Sequence, residues 1–116
     1  MDNEKVFAMS FAKVYPMLIA KAERKGKTRE DVLEVPAWLT GYTHRQIEAL
    51  LESDLSYGDF FRKAPALNPN RVLIKGSICG IKVELIENPL MQNIRYLDKL
   101  VDELAKGKAM EKILRK

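Results

Sequence analysis

Only one stretch of this chain, VLIKGSICGIKVELI at residues 72–86, carries a persuasive strand signal, and it has room for a single hairpin. An isolated hairpin is marginal in water, so the remaining residues must supply a cover for its apolar side. Placing the turn at Cys79 and Gly80 opposes Ile78 with Ile81, Gly76 with Val83, Lys75 with Glu84, and Ile74 with Leu85. One face is then wholly apolar, and opposite charges meet on the other. A turn at Gly76 and Ser77 would instead pair Leu73 with Gly80 and Lys75 with Ile78. Both features are lost in that register, so the hydrophobic pattern selects the first.

The cover follows at once. Asn88 has the chemistry of an N-cap and Pro89 suits the first helical position, while Leu90, Ile94, Leu97, Val101 and Leu104 recur at alternating spacings of four and three. About two heptads precede Gly107, too few for a coiled coil, so this reads as a packed core helix. Met110, Ile113 and Leu114 resume an apolar face on a short final helix.

Upstream the pattern is helical throughout. Pro16 resists a deep helical position, which predicts a first helix from about Tyr15 to Lys25 with proline in its first turn, residues 10–14 forming a separate turn. Gly26 stops it. Thr28 and Asp31 make a capping pair for a second helix whose inner face is Val32, Val35, Trp38 and Leu39, with Pro36 expected to kink or divide it. Gly41 ends that helix, and Thr43 with Gln46 caps a third carrying Ile47, Leu50 and Leu51. Ser56 and Asp59 start a short fourth, which Pro65 closes. The expected architecture is one α+β domain over residues 1–116, mostly helical, with a two-stranded antiparallel hairpin packed on a long C-terminal helix.

Length and composition narrow the function. At 116 residues, 47% hydrophobic and 31% charged, the chain has the make-up of a globular domain with one real core. No apolar run approaches the roughly 18 residues of a membrane span, and MDNEKVFAMSF lacks the layout of a signal peptide, so a cytoplasmic location is expected. The lone Cys79 fits a reducing compartment. Residues 1–60 hold 8 basic and 10 acidic groups against 12 and 6 in residues 61–116, which makes the second half the basic one.

WLTGYTHRQIEALL, residues 38–51, has the helix, glycine turn, helix layout of a DNA-reading unit. From Thr43 to Asp54, however, Arg45 faces Glu48, Glu52 and Asp54. A duplex carries about one negative charge per 1.7 Å and would repel that surface, so nucleic-acid recognition there is disfavoured. Nucleophilic catalysis has only His44 and Cys79 to draw on, with nothing local to activate the thiol. Neither metal-ligand spacing nor a phosphate-cradling glycine loop is present, and no cofactor is expected.

What remains is a polar and aromatic set around the loops: Trp38, Tyr42, Asn68, Asn70, Arg71, Arg95 and Tyr96, candidate walls of a ligand cleft near the loop before the hairpin. Their structural alternatives are core packing for Trp38, turn-setting for the asparagines and an Arg95–Asp98 pair. Lys21, Arg24, Lys25, Lys27 and Arg29 form a basic cluster that suits either an anion or the negative end of a helix dipole.

The stretches FAKVYPMLIAKAERKGKT, WLTGY, LNPNR and CGIKVELIENPLMQNIRYLDKLVDELAKGKAMEKILR resemble the small bacterial family catalogued as domain-of-unknown-function family 2200, nearly end to end from Val6 to Arg115. The resemblance implies a bacterial cytoplasmic protein and carries over no catalytic residues. VPAWLTGY departs from that family's more helix-friendly pattern. The expectation is therefore a small binding or interaction module without catalytic activity, associating with itself or with a protein partner. A small anionic ligand in the polar cleft, with or without chemistry, is the first alternative, and nucleic-acid binding through the basic cluster the second.

Overall fold

The computed structural model describes residues 3–78 and 80–115. Helices α1 (Asn3–Ala8), α2 (Phe11–Glu23), α3 (Arg29–Thr40), α4 (His44–Leu50) and α5 (Tyr57–Arg62) come first. After a 3-10 turn at Pro69–Leu73 come the strands β1 (Ser77–Ile78) and β2 (Ile81–Lys82), a second 3-10 turn at Val83–Leu85, then α6 (Pro89–Ala105) and α7 (Met110–Ile113).

Helix α6 is the axis of the molecule and packs against α2, α3, α5, α7 and β1. The seam read from the sequence accounts for one side of it. Met91, Asn93, Tyr96, Leu100 and Glu103 are buried as well, so the helix is enclosed over most of its circumference. The chain belongs to the α+β class, mostly helical, with its one hairpin lying on this helix. No helix among the described residues is long and apolar enough to cross a membrane.

Local chemistry places the helix starts. Thr28 with Asp31 and Thr43 with Gln46 form reciprocal capping boxes, Ser56 accepts from the Asp59 amide, and Asn88 accepts from that of Met91. Gly41 ends α3 at φ +83°, a left-handed conformation that other residues adopt at a cost.

Pro16 departs from expectation, and Pro36 takes only one of its two expected alternatives out of play. Helix α2 begins at Phe11, four residues before the predicted start, and carries Pro16 inside it. The amide lost at Pro16 is outweighed by burial upstream: Phe11 is fully buried and stacks on Phe60 at 4.2 Å and on Tyr15 at 5.3 Å. A backbone bridge between Ser10 and Ser56 fixes where the helix enters. Pro36 does not divide α3, which runs unbroken past it to Thr40. Val32, Leu33, Val35 and Leu39 around it have no exposed surface, and their packing holds the helix together. Trp38 is half-buried at the core's edge.

The hairpin is shorter than the pattern predicts. Ile78 pairs with Ile81 and Ser77 with Lys82, which is the predicted register; the proposed turn residue Cys79 lies outside the described residues. The Val83 amide still donates to the Gly76 carbonyl, at 3.0 Å, but the Gly76 amide donates to Glu84 Oε1 at 3.1 Å. Glu84 thus takes the donor that the ladder needs, and Val83–Leu85 coil into a 3-10 turn. The expected Lys75–Glu84 and Ile74–Leu85 pairs are absent from the strands. Ile74, Ile78 and Val83 face the core, whereas Ile81 and Leu85 are exposed, so the apolar face is not wholly covered.

Candidate ligand cleft

A cleft of about 440 Å³ opens where α1, β2 and the first turns of α6 meet, lined by Asn3, Ile81, Ile86, Glu87, Asn88, Met91 and Arg95. Each wall has a local cause. Asn88 Oδ1 caps α6 by accepting from the Met91 amide at 3.0 Å, which fixes the helix start. Met91 and Arg95 lie one turn apart and share a side of α6. Arg95 Nη1 donates to Asp98 Oδ2 at 3.0 Å, and both side chains are largely withdrawn from water, at 17% and 22% exposure.

Burial pushes the Asp98 carboxyl above its usual value, against the opposing pull of the Arg95 charge and hydrogen bond and of Lys21. The pair therefore holds the guanidinium in a set orientation. Its ion pairing agrees with the i,i+3 reading of the sequence.

Arg71 goes elsewhere. Its Nε donates to Asn93 Oδ1 at 3.2 Å and its Nη1 to the Asn68 carbonyl at 2.9 Å, while Asn68 Oδ1 accepts from the Asn70 amide at 2.9 Å. These bonds pin the Asn68–Arg71 loop to α6. Tyr96 is buried nearby; burial raises its phenol, with the Arg71 charge opposing and Glu84 adding to the shift. Arg71 and Tyr96 thus share a neighbourhood, whereas Arg95 does not: Asn93 and Arg95 sit about 200° apart around α6.

Tyr42 turns to α5, where its hydroxyl donates to the Phe60 carbonyl at 2.8 Å and its ring stacks on Phe60 at 4.8 Å. The seven polar and aromatic candidates are accordingly spread over several places. In the basic cluster, Lys21 meets Asp102 at 3.2 Å, an anchor to α6, while Arg24, Lys25 and Arg29 are exposed and Lys27 is half-buried. His44 lies 3.7 Å from Glu34. No group of three His, Cys, Asp or Glu side chains able to hold a metal occurs among the described residues.

The cleft walls Asn3, Ile81, Ile86, Glu87 and Met91 were not singled out from the sequence. The alternation assigns Ile81 to the covered side of a longer ribbon and Ile86 to the opposite face, and the 3-10 turn at Val83–Leu85 breaks that alternation. Helix α1, which contributes Asn3, had no apolar periodicity long enough to register.

A family model described as an uncharacterized protein conserved in bacteria, domain of unknown function 2200, matches residues 5–115, and the chain belongs to that family. The crystal structure of the uncharacterized protein SP1917 superposes with a TM-score of 0.93 at 54% identity, covering 98% of this chain and 93% of that one. No curated protein matches the chain.

Proposed function

We propose that this family member is a small binding and interaction module, acting in the cytoplasm through the surface around the hairpin. One observation carries the reading. Of the six large hydrophobic side chains left exposed among the described residues, four, Val72, Leu73, Ile81 and Leu85, come from residues 72–85. Scattered apolar side chains need no account, but their concentration in one short segment beside a cleft is what an interaction surface presents. The lone thiol at Cys79 favours a reducing compartment.

A second copy of the chain is the partner tested first. Sedimentation velocity over a concentration series is expected to show mass-action self-association, lost in an Ile81→Lys, Leu85→Lys double variant that keeps its melting temperature. A chain that stays monomeric at every concentration, with the variant indistinguishable from it, counts against self-association through this surface.

Arg95 in the cleft wall favours a second reading, the binding of a small anion. A thermal-shift screen addresses it, because ligand at free concentration L bound only to the folded state stabilises it by RT ln(1 + L/Kd) and so raises the melting temperature.

A further inference from the structure

The reading of the cleft as a binding site can be taken to a ligand class. A guanidinium has five N–H donors in a planar fork, and Arg95 spends one of them, on Asp98. Asp98 is itself largely withdrawn from water, so it both orients the fork and leaves its other edge available. Arg71 and Arg115, by contrast, each divide their donors between two protein partners. Beside Arg95 lie three apolar walls, Ile81, Ile86 and Met91. Asn88 uses its side-chain oxygen as the helix cap, which leaves its NH₂ group as a donor. Glu87, exposed, also lines the cleft and opposes a second negative charge.

We propose that this cleft binds a small monocarboxylate with an apolar body, the carboxylate on the Arg95 fork and the hydrocarbon against Ile81, Ile86 and Met91. The claim rests on the cleft being a binding site. Charge alone would admit any anion. The planar fork matches the two oxygens of a carboxylate, the apolar walls reward a hydrocarbon, and Glu87 penalises dianions such as hydrogen phosphate. A volume of about 440 Å³ lies towards the small end of ligand pockets, which suits a compact acid.

Calorimetric titration of the full chain with straight-chain carboxylates of increasing length tests it, with the matching alcohols, the matching amines and inorganic phosphate run alongside. Affinity is expected to rise about fourfold per added methylene until the cleft is filled. Alcohols should bind roughly ten- to a hundredfold more weakly than the acids, having no charge to offer the fork. The double variant Arg95→Gln, Asp98→Asn, which leaves no unpaired buried charge, should lose the preference for acid over alcohol. Met91→Trp, which puts a bulkier side chain in the cleft wall and leaves Arg95 and Asp98 unsubstituted, should abolish binding, with melting temperatures confirming that both variants fold.

Phosphate binding as tightly as every carboxylate would overturn the proposal. So would carboxylate binding that survives Met91→Trp. If amines or alcohols bind better than acids and Met91→Trp removes them, the carboxylate assignment fails and the cleft stands; if no probe binds, both fail.

Discussion

Arg115 grips Glu103 with both ends of its guanidinium: Nη1 and Nη2 donate to the two carboxylate oxygens at 2.6 and 2.9 Å. Nη1 also donates to the Ile113 carbonyl at 2.6 Å, so one side chain ties the end of α7 back to α6. Glu103 is 8% exposed. Arg115→Ala would leave that charge with Lys108, 3.5 Å away, as its remaining ion-pair partner among the described residues. Breaking a pair of this kind is expected to cost about 2–4 kcal/mol, read by urea unfolding. A loss below about 0.5 kcal/mol would mean that the pair behaves like an exposed one.

The same carboxylate sets part of the acid limb of stability. Burial tends to raise Glu103, but the hydrogen bonds and charge of Arg115, with Lys108 and Lys99, more than offset it and hold the carboxyl below its ordinary 4.5. Its contribution is then fully present above about pH 4.5 and is lost as pH falls through the lowered folded-state value. Asp98 has the opposite sign: raised by burial above its ordinary 3.8, it binds protons more readily in the folded chain and favours folding as pH falls. Stability measured against pH should therefore fall less steeply in Glu103→Gln and more steeply in Asp98→Asn. Parallel acid limbs in all three proteins would contradict this account.

Gly41 and Gly26 share a φ of +83° and differ in what surrounds them. A Cβ at Gly26 meets nothing within 4 Å, while one at Gly41 falls 2.9 Å from the backbone nitrogen and oxygen of Ala66. Gly26→Ala should cost only the left-handed conformation, about 1 kcal/mol. Gly41→Ala adds a collision with backbone that cannot swing aside, because the Ala66 amide is bonded to the Thr40 carbonyl at 2.9 Å. It should cost about 1–3 kcal/mol more. Equal midpoints for the two variants in denaturant would show that the Ala66 strand of the loop moves freely.

These contrasts indicate which parts of the molecule were legible in the sequence. The caps at Thr28, Thr43, Ser56 and Asn88 were readable because each is satisfied within three residues. The register at Ile78 and Ile81 was readable because a slip by one residue would have turned the apolar side outward. The start of α2 was not, since it is decided by Phe60, far along the chain, stacking on Phe11. Helix α1 depends likewise on Gly58, where a Cβ would fall 2.9 Å from Phe7 Cβ, and on the Tyr57 amide donating to the Met9 carbonyl. For the cleft, composition could nominate Arg71 and Arg95 but not separate them. Which side of α6 each one meets is fixed by what packs there.

Two phenols, Tyr57 buried and Tyr42 half-buried, give a last test with opposite signs. The Tyr57 hydroxyl is buried with no hydrogen-bond partner among the described residues, and burial raises its pKa well above the ordinary value, with Asp98 adding to the shift and Arg95 opposing it. Its ring is used fully, edge-on to Phe61 at 5.3 Å. Tyr57→Phe keeps the ring and removes a polar atom that folding takes out of water unpaired, so it should leave stability unchanged or raise it by about 1 kcal/mol. Tyr42→Phe removes the donor to the Phe60 carbonyl and should lower stability by about 1 kcal/mol. Denaturant midpoints of the two variants should thus lie on either side of the parent protein. If Tyr57→Phe is lowered as far as Tyr42→Phe, its hydroxyl has a partner in solution and the energetic cost assigned to it is wrong.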